Sequence, residues 1–172
     1  MELITTFENW AYSETVEHMS PALTATMKFI THLGDAISII IICLILIAIP
    51  FLRKNYSVRV ILSVISASIL NSILKLTFAR ERPNILQLIT EKSYSFPSGH
   101  SMANMALYAS IVFISWKKLK NIDTKIFITT ISSILVIIIG ISRVYLGVHY
   151  ITDVLAGWAF GLIIAYLVCR KA

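Results

Sequence analysis

Five uninterrupted runs of apolar and small residues, Ala36–Leu52, Val60–Leu74, Met102–Trp116, Ile126–Ile141 and Val154–Cys169, each 15 to 17 residues long, dominate this 172-residue chain. A transmembrane helix needs about 20 residues, at about 1.5 Å per residue, to cross about 30 Å of hydrocarbon. Each run therefore makes a span if its helix extends about a turn into the flanking polar residues. Ala36–Leu52 is apolar on every side, whereas a helix in a soluble bundle keeps a polar outer face. A soluble fold of this length would hide only about 70% of its unfolded surface. With 57% hydrophobic and 14% charged residues, it would leave large apolar patches in water. The expectation is an all-α, polytopic transmembrane bundle of about five spans, a single domain over residues 31–172. Residues 1–30, with Glu2, Glu8, Glu14 and Glu17 beside Leu3, Phe7, Trp10 and Tyr12, read as an interfacial helical segment rather than a sixth span or a cleaved signal peptide.

An odd number of crossings puts the two ends on opposite sides, and basic residues mark the cytoplasmic one. One set of connections carries nine cations: Arg53, Lys54, Arg59, Lys117, Lys118, Lys120, Lys125, Arg170 and Lys171. The other carries six: Lys28, Lys75, Arg80, Arg82, Lys92 and Arg143. The richer set reads as cytoplasmic, which places the segments around 80–101 and 143–152 together on the external face of the cell membrane. The net charge of +6 is scattered between apolar runs, so no solvated basic face suits a nucleic acid. Cys43 and Cys169 lie inside apolar runs without metal-ligand spacing and read as buried thiols. Gly157 and Gly161 permit close helix packing, inside the bundle or at a dimer seam. Trp10, Tyr94, Trp116 and Tyr150 fit an aromatic belt.

Ionisable residues at the mouths of membrane helices are costly unless paired or used, and here they form three clusters. In Lys75-Leu-Thr-Phe-Ala-Arg80-Glu-Arg82-Pro83, a continuing helix would put Lys75 and Arg82 on one face, about 10 Å apart along the axis, before Pro83 helps to end it. Two cations aimed at one spot suit a phosphate; the same spacing also suits cations that snorkel at a helix end. In Phe96-Pro97-Ser98-Gly99-His100-Ser101, Ser98 is placed as an N-cap, so that the amides near Gly99 and His100 face an anion and the imidazole can pass a proton. An ordinary capped helix start has the same sequence. In Ser142-Arg143-Val-Tyr-Leu-Gly-Val-His149-Tyr-Ile-Thr-Asp153, the carboxylate at i+4 can hold one imidazole nitrogen and free the other as nucleophile or base. Asp35, Asn71, Arg80 and Glu81 could orient the site or form helix-end pairs, and His18 and His32 read as interfacial. No carboxylate or His/Cys cage suited to Mg²⁺ or Zn²⁺ is visible in the sequence, so no metal or other cofactor is expected.

Lys-x6-Arg-Pro, then Pro-Ser-Gly-His, then Ser-Arg-x5-His-x3-Asp, spread over Lys75 to Gly157, resembles the three-part signature of the type 2 phosphatidic acid phosphatase superfamily, which includes vanadium haloperoxidases and acid phosphatases. The resemblance implies that His149 is the nucleophile, Asp153 its orienting partner and His100 the general acid. It also implies that Lys75, Arg82, Ser98, Gly99 and Arg143 hold the phosphate oxygens. Ile151 stands where many relatives have Pro. The resulting expectation is a membrane lipid phosphate phosphatase that works through a phosphohistidine on phosphatidylglycerophosphate or phosphatidate. Undecaprenyl pyrophosphate is the alternative substrate. Vanadate-dependent peroxidation would use a similar constellation. A lipid or anion channel would use the cations without needing the His149–Asp153 pair, and a degenerate scaffold would not need the signature intact.

Overall fold

A computed structural model describes residues 2–48, 56–84 and 86–170. Leu52, Arg53, Lys54 and Lys171 of the sequence reading lie outside them. The described residues form seven helices: α1 (Glu2–Glu17), α2 (Pro21–Leu33), α3 (Ala36–Ala48), α4 (Tyr56–Phe78), α5 (Gly99–Lys118), α6 (Ile122–Tyr145) and α7 (Ile151–Cys169). The five apolar runs fall on α3 to α7. Among the described residues, α4, α6 and α7 are each long and apolar enough to cross a membrane, and α2 with α3 would add a fourth span, bent by 46°.

The bundle is apolar outside, and its interior mixes an apolar core with many buried polar side chains, unlike a soluble fold. On α4 the buried face carries Ser57, Val60, Ser63, Ala67 and Asn71, while Val58, Leu62, Ile65, Ile69, Ile73 and Leu76 form an exposed stripe at helical spacing. In lipid such a stripe costs nothing, because hydrocarbon tails are as apolar as leucine, and small interior residues let helices approach closely. The central helix α5, packed against α4, α6 and α7, buries Ser101, Asn104, Ala106, Ala109, Ser110 and Ser115. Enclosed on several sides, it needs no lipid-compatible face. Its small residues meet α7, where a Cβ on Gly161 would lie 2.5 Å from the Met102 carbonyl oxygen and 2.9 Å from Met105 Cβ. The glycine pair is thus used inside the bundle.

Residues 1–30 carry two helices rather than one. The α1–α2 connection ends at Ser20, whose hydroxyl accepts from Leu23 N ahead of Pro21 in the first turn of α2. Helix α2 then runs past the expected boundary at residue 30 to Leu33, and both α1 and α2 pack on α6. The segments 79–98 and 146–150 meet at one end of the bundle, where Leu88 N donates to Leu146 O at 3.0 Å.

Gly161→Ile should overpack the α5–α7 seam and cost about 1–3 kcal/mol, read as a lower Tm in detergent. Leu162→Ile, on the exposed face beside it, should leave Tm unchanged within error.

Candidate active site

Lys75 sits in the last turn of α4, but Arg82 does not continue that helix, so the expected helical face shared by the two cations is not formed. Ala79, at φ 43°, ends α4 four residues before Pro83. Pro83 disfavours helical backbone at Arg82, and the chain leaves the helix to cross the bundle mouth. The cations converge through that loop instead: Lys75 Nζ and Arg82 Nη2 both donate to the Tyr94 carbonyl, the second at 3.3 Å. Arg82 is further fixed by Ser93 O at 2.7 Å and Val148 O at 2.6 Å.

Ser98 is the N-cap of α5, as its position before the apolar run implies, and its hydroxyl accepts from Ser101 N at 3.4 Å and Ser101 Oγ at 3.0 Å. Ser98 N donates to the Asp153 carbonyl at 3.0 Å, and Pro97 O accepts from Asn71 Nδ2 at 3.0 Å. The start of α5 is thereby tied to α4 and α7. Its first-turn amides at Gly99 and His100 are of the kind that favour an anion.

The third block turns at Gly147, whose φ of 70° suits glycine and whose Cβ would lie 1.8 Å from Leu86 O. This turn delivers His149, 2% exposed, to the start of α7. His149 Nδ1 lies 3.5 Å from Asp153 Oδ2 and 3.4 Å from Ser95 Oγ, and Ser95 Oγ donates to the same Asp153 oxygen. His149 Nε2 lies 3.2 Å from Arg82 Nη1. Since a guanidinium only donates, this pattern is met by the tautomer with its proton on Nδ1, which leaves the Nε2 lone pair directed at Arg82.

Burial pushes the His149 pKa down, helped by Arg82 and Arg143, and the Asp153 hydrogen bond recovers only part; it falls from 6.5 to about 3. The imidazole is therefore neutral at ordinary pH. Asp153 also accepts from Arg80 Nη1 at 2.7 Å and Tyr150 N at 2.9 Å. Arg80 bridges onward to buried Glu8 of α1 at 2.7 Å. Burial alone would weaken the Arg80 charge, but Glu8 and Asp153 outweigh it and raise its pKa. Arg143, 1% exposed, donates to Glu91 and, at 2.8 Å, to Thr31 Oγ1; its Nε has no hydrogen-bond partner among the described residues. The Glu91 carboxylate, 4.0 Å from Arg82 Nη2, would be raised by burial, yet Arg143 and Arg82 hold it below the usual range. His100 Nε2 pairs with Asp35 Oδ1 at 2.8 Å.

The predicted site residues therefore gather at one mouth of the bundle. Sequence reasoning missed Ser95, Glu91 and Glu8; it flagged Arg80, Asn71 and Asp35 without settling their partners. The signal for Ser95 is its place one residue before the Phe96-Pro97-Ser98-Gly99-His100 block. Glu8 and Glu91 reach their partners across 72 and 52 residues, which no local spacing reveals. Beside the cations lies a cavity of about 760 Å³ lined by Lys75, Leu76, Arg80, Arg82, Lys92 and Tyr94, among others.

The model of the PAP2 superfamily matches residues 56–172. Phosphatidylglycerophosphatase B of Bacillus subtilis (strain 168) is 38% identical over 151 residues, covering 86% of this chain and 74% of the relative. An undecaprenyl-diphosphatase of Sulfolobus acidocaldarius is 28% identical, covering 84% of this chain and 68% of the relative. Among solved structures, the transmembrane PAP2 type phosphatidylglycerolphosphate phosphatase from Bacillus subtilis superposes with a TM-score of 0.91 at 32% identity, covering 99% of this chain and 87% of that one.

The neutral buried imidazole has a measurable cost. With a folded value near 3, His149 stays uncharged while the unfolded chain takes up a proton below about pH 6.5, so stability is complete above that pH and falls as pH drops toward 3. This contribution approaches about 1.4 kcal/mol per pH unit. His149→Gln removes it, and Tm should decline less steeply than in the wild type between about pH 6.5 and 5. Equal slopes would sink the buried neutral imidazole.

Proposed function

The chain belongs to the PAP2 superfamily, and from that premise we propose that it removes the terminal phosphate of a membrane phospholipid, phosphatidylglycerophosphate or phosphatidate, through a phosphohistidine on His149. The observation that carries this reading is the His149 ring, whose Nδ1 faces Asp153 and whose Nε2 lone pair meets Arg82 at 3.2 Å. A lone pair beside a cation that would draw in a phosphate is placed to attack phosphorus once the phosphate takes over that guanidinium.

In this reading His149 Nε2 attacks phosphorus in line, and the P–O bond to the glycerol breaks as the departing oxygen takes a proton from His100. Lys75, Arg82, Arg143, the Ser98 hydroxyl and the Gly99 amide hold the equatorial oxygens as charge moves onto them. Water then attacks the phosphohistidine, giving its proton to the now neutral His100 and releasing inorganic phosphate and free His149. Glu91, held by Arg143, is the anion with which the incoming phosphate competes. The likeness to phosphatidylglycerophosphatase B over most of both chains favours the glycerophospholipids. The undecaprenyl-diphosphatase relative supports a polyprenyl diphosphate as second reading.

Phosphate release by purified protein from a panel of phosphatidylglycerophosphate, phosphatidate and undecaprenyl pyrophosphate tests the substrate. EDTA should leave the rate intact and orthovanadate should inhibit. His149→Ala should form no labelled phosphoenzyme, whereas His100→Ala should still form it slowly from an ester with a good leaving group. Labelled phosphoenzyme in His149→Ala would falsify the assignment.

The bias of nine basic residues against six supports an outward-facing site, and setting aside Lys75, Arg82 and Arg143 as site residues sharpens it to nine against three. In a Cys43→Ser/Cys169→Ser background, Thr90→Cys should react in intact cells with a membrane-impermeant thiol reagent and Lys120→Cys should not. The reverse pattern would place the site in the cytoplasm.

A further inference from the structure

His149 has a carboxylate partner within the family signature, but His100 has none there. The structure supplies one from outside the region matched by the family model, which begins at residue 56. Asp35 lies in the bend between α2 and α3, and its Oδ1 accepts from His100 Nε2 at 2.8 Å. Its Oδ2 is held by His32 Nδ1 at 2.8 Å, so both oxygens are engaged and the carboxylate is fixed.

The bend is built onto the first turn of α5. Asn104, 1% exposed, donates through Nδ2 to Gly34 O and to His100 O, both at 2.9 Å. A Cβ at Gly34 would lie 2.7 Å from Ile139, 2.9 Å from Asn104 Nδ2 and 3.3 Å from His100 Cδ2. Only glycine lets the bend approach so closely. One asparagine thus grips both the segment that carries Asp35 and the residue that Asp35 meets.

We propose that Asp35 is the positioning residue of His100, holding its imidazole protonated through Nε2 and leaving Nδ1 to exchange the proton with the leaving oxygen and then with water. This rests on His100 being the proton donor. Burial is the largest influence on that ring and opposes the imidazolium, as does Arg143 of α6; Asp35 from the α2–α3 bend and Glu91 from the 79–98 loop favour it. Arg143 is committed in part to Glu91, which leaves Asp35 as the anion in direct contact. His32, on the far side of that carboxylate, is exposed to solvent.

The test compares the wild type, Asp35→Asn, Asp35→Glu and His100→Ala on two substrates, a short-chain phosphatidate and nitrophenyl phosphate, whose phenolate leaves without needing a proton. In Asp35→Asn the basic limb of kcat/KM on the phosphatidate should move to lower pH by about one unit, the size of one lost neighbouring charge. Its rate at neutral pH should fall at least about tenfold on the phosphatidate and less than about threefold on the aryl ester, as a defect in proton donation requires. Asp35→Glu should keep the wild-type basic limb. An unmoved limb in Asp35→Asn, or equal losses on both esters, would overturn the proposal. If Asp35→Asn is not recovered folded, Asp35→Ser takes its place, and the ratio of its losses on the two esters decides in the same way. His100→Ala that turns over the phosphatidate at the wild-type rate would instead sink the reading of His100, a result distinct from failure at Asp35.

Discussion

Asp153 keeps a carboxylate at a point with no solvent exposure, and a buried charge is tolerated only where partners and hydrogen bonds offset its lost hydration. Its oxygens meet Arg80 Nη1, Ser95 Oγ, Tyr150 N and, at longer range, His149 Nδ1. These come from the 79–98 loop and the 146–150 loop, while its carbonyl takes Ser98 N at the start of α5. One residue thus closes the mouth of the bundle by linking all three signature blocks or their flanks. Arg80 extends the link to Glu8, itself 6% exposed, so that α1 is attached to the site by charge as well as by apolar contact. Such a network is worth most when complete, because each missing partner leaves a buried charge uncompensated.

The membrane accounts for why the network sits where it does. Hydrocarbon offers no hydrogen bonds, so every polar group inside the bundle needs a protein partner, and the cheapest place for a charged site is the end of the helices, where loops can supply carbonyls and water is near. Helix α5 carries the polar load inward with hydroxyls and small residues, while the isoleucine and leucine stripes of α3, α4 and α7 take the lipid side. A helix that is polar within and enclosed by neighbours falls below a purely compositional test for a span, as α5 does.

What the sequence made legible follows from the range over which its signals act. The N-cap at Ser98 and the His149–Asp153 spacing are local chemistry and appear in the structure where short-range rules put them. The shared helical face of Lys75 and Arg82 fails because helical periodicity was extended through a segment whose backbone is decided by Pro83 and by the loop it enters. The two cations still meet, but at a carbonyl supplied by Tyr94, 19 residues after Lys75. Glu8, Asp35 and Glu91 are ordinary acids in sequence, and only folding sets each against its cation or histidine. The sidedness of the bundle rests on cation counts that include Arg53, Lys54 and Lys171, all outside the described residues.

In the proposed reaction two histidines of one intrinsic chemistry take opposite roles, and the carboxylates beside them differ. His149 is nearly sealed from water, its carboxylate is 3.5 Å away and already saturated by Arg80, Ser95 and Tyr150, and Arg82 stands at its free nitrogen. Burial and Arg82 disfavour a second proton, Asp153 recovers only part of that, and the ring keeps the lone pair that a nucleophile needs. His100 stands at the opening, with a half-exposed carboxylate at 2.8 Å whose other oxygen is bound to an exposed imidazole. That carboxylate is not saturated by guanidinium, so its charge is available to an imidazolium. The proposed acid and the proposed nucleophile are separated by how fully each carboxylate is already spent on other donors, a distinction that lies in the fold and not in the two His–Asp pairings as such.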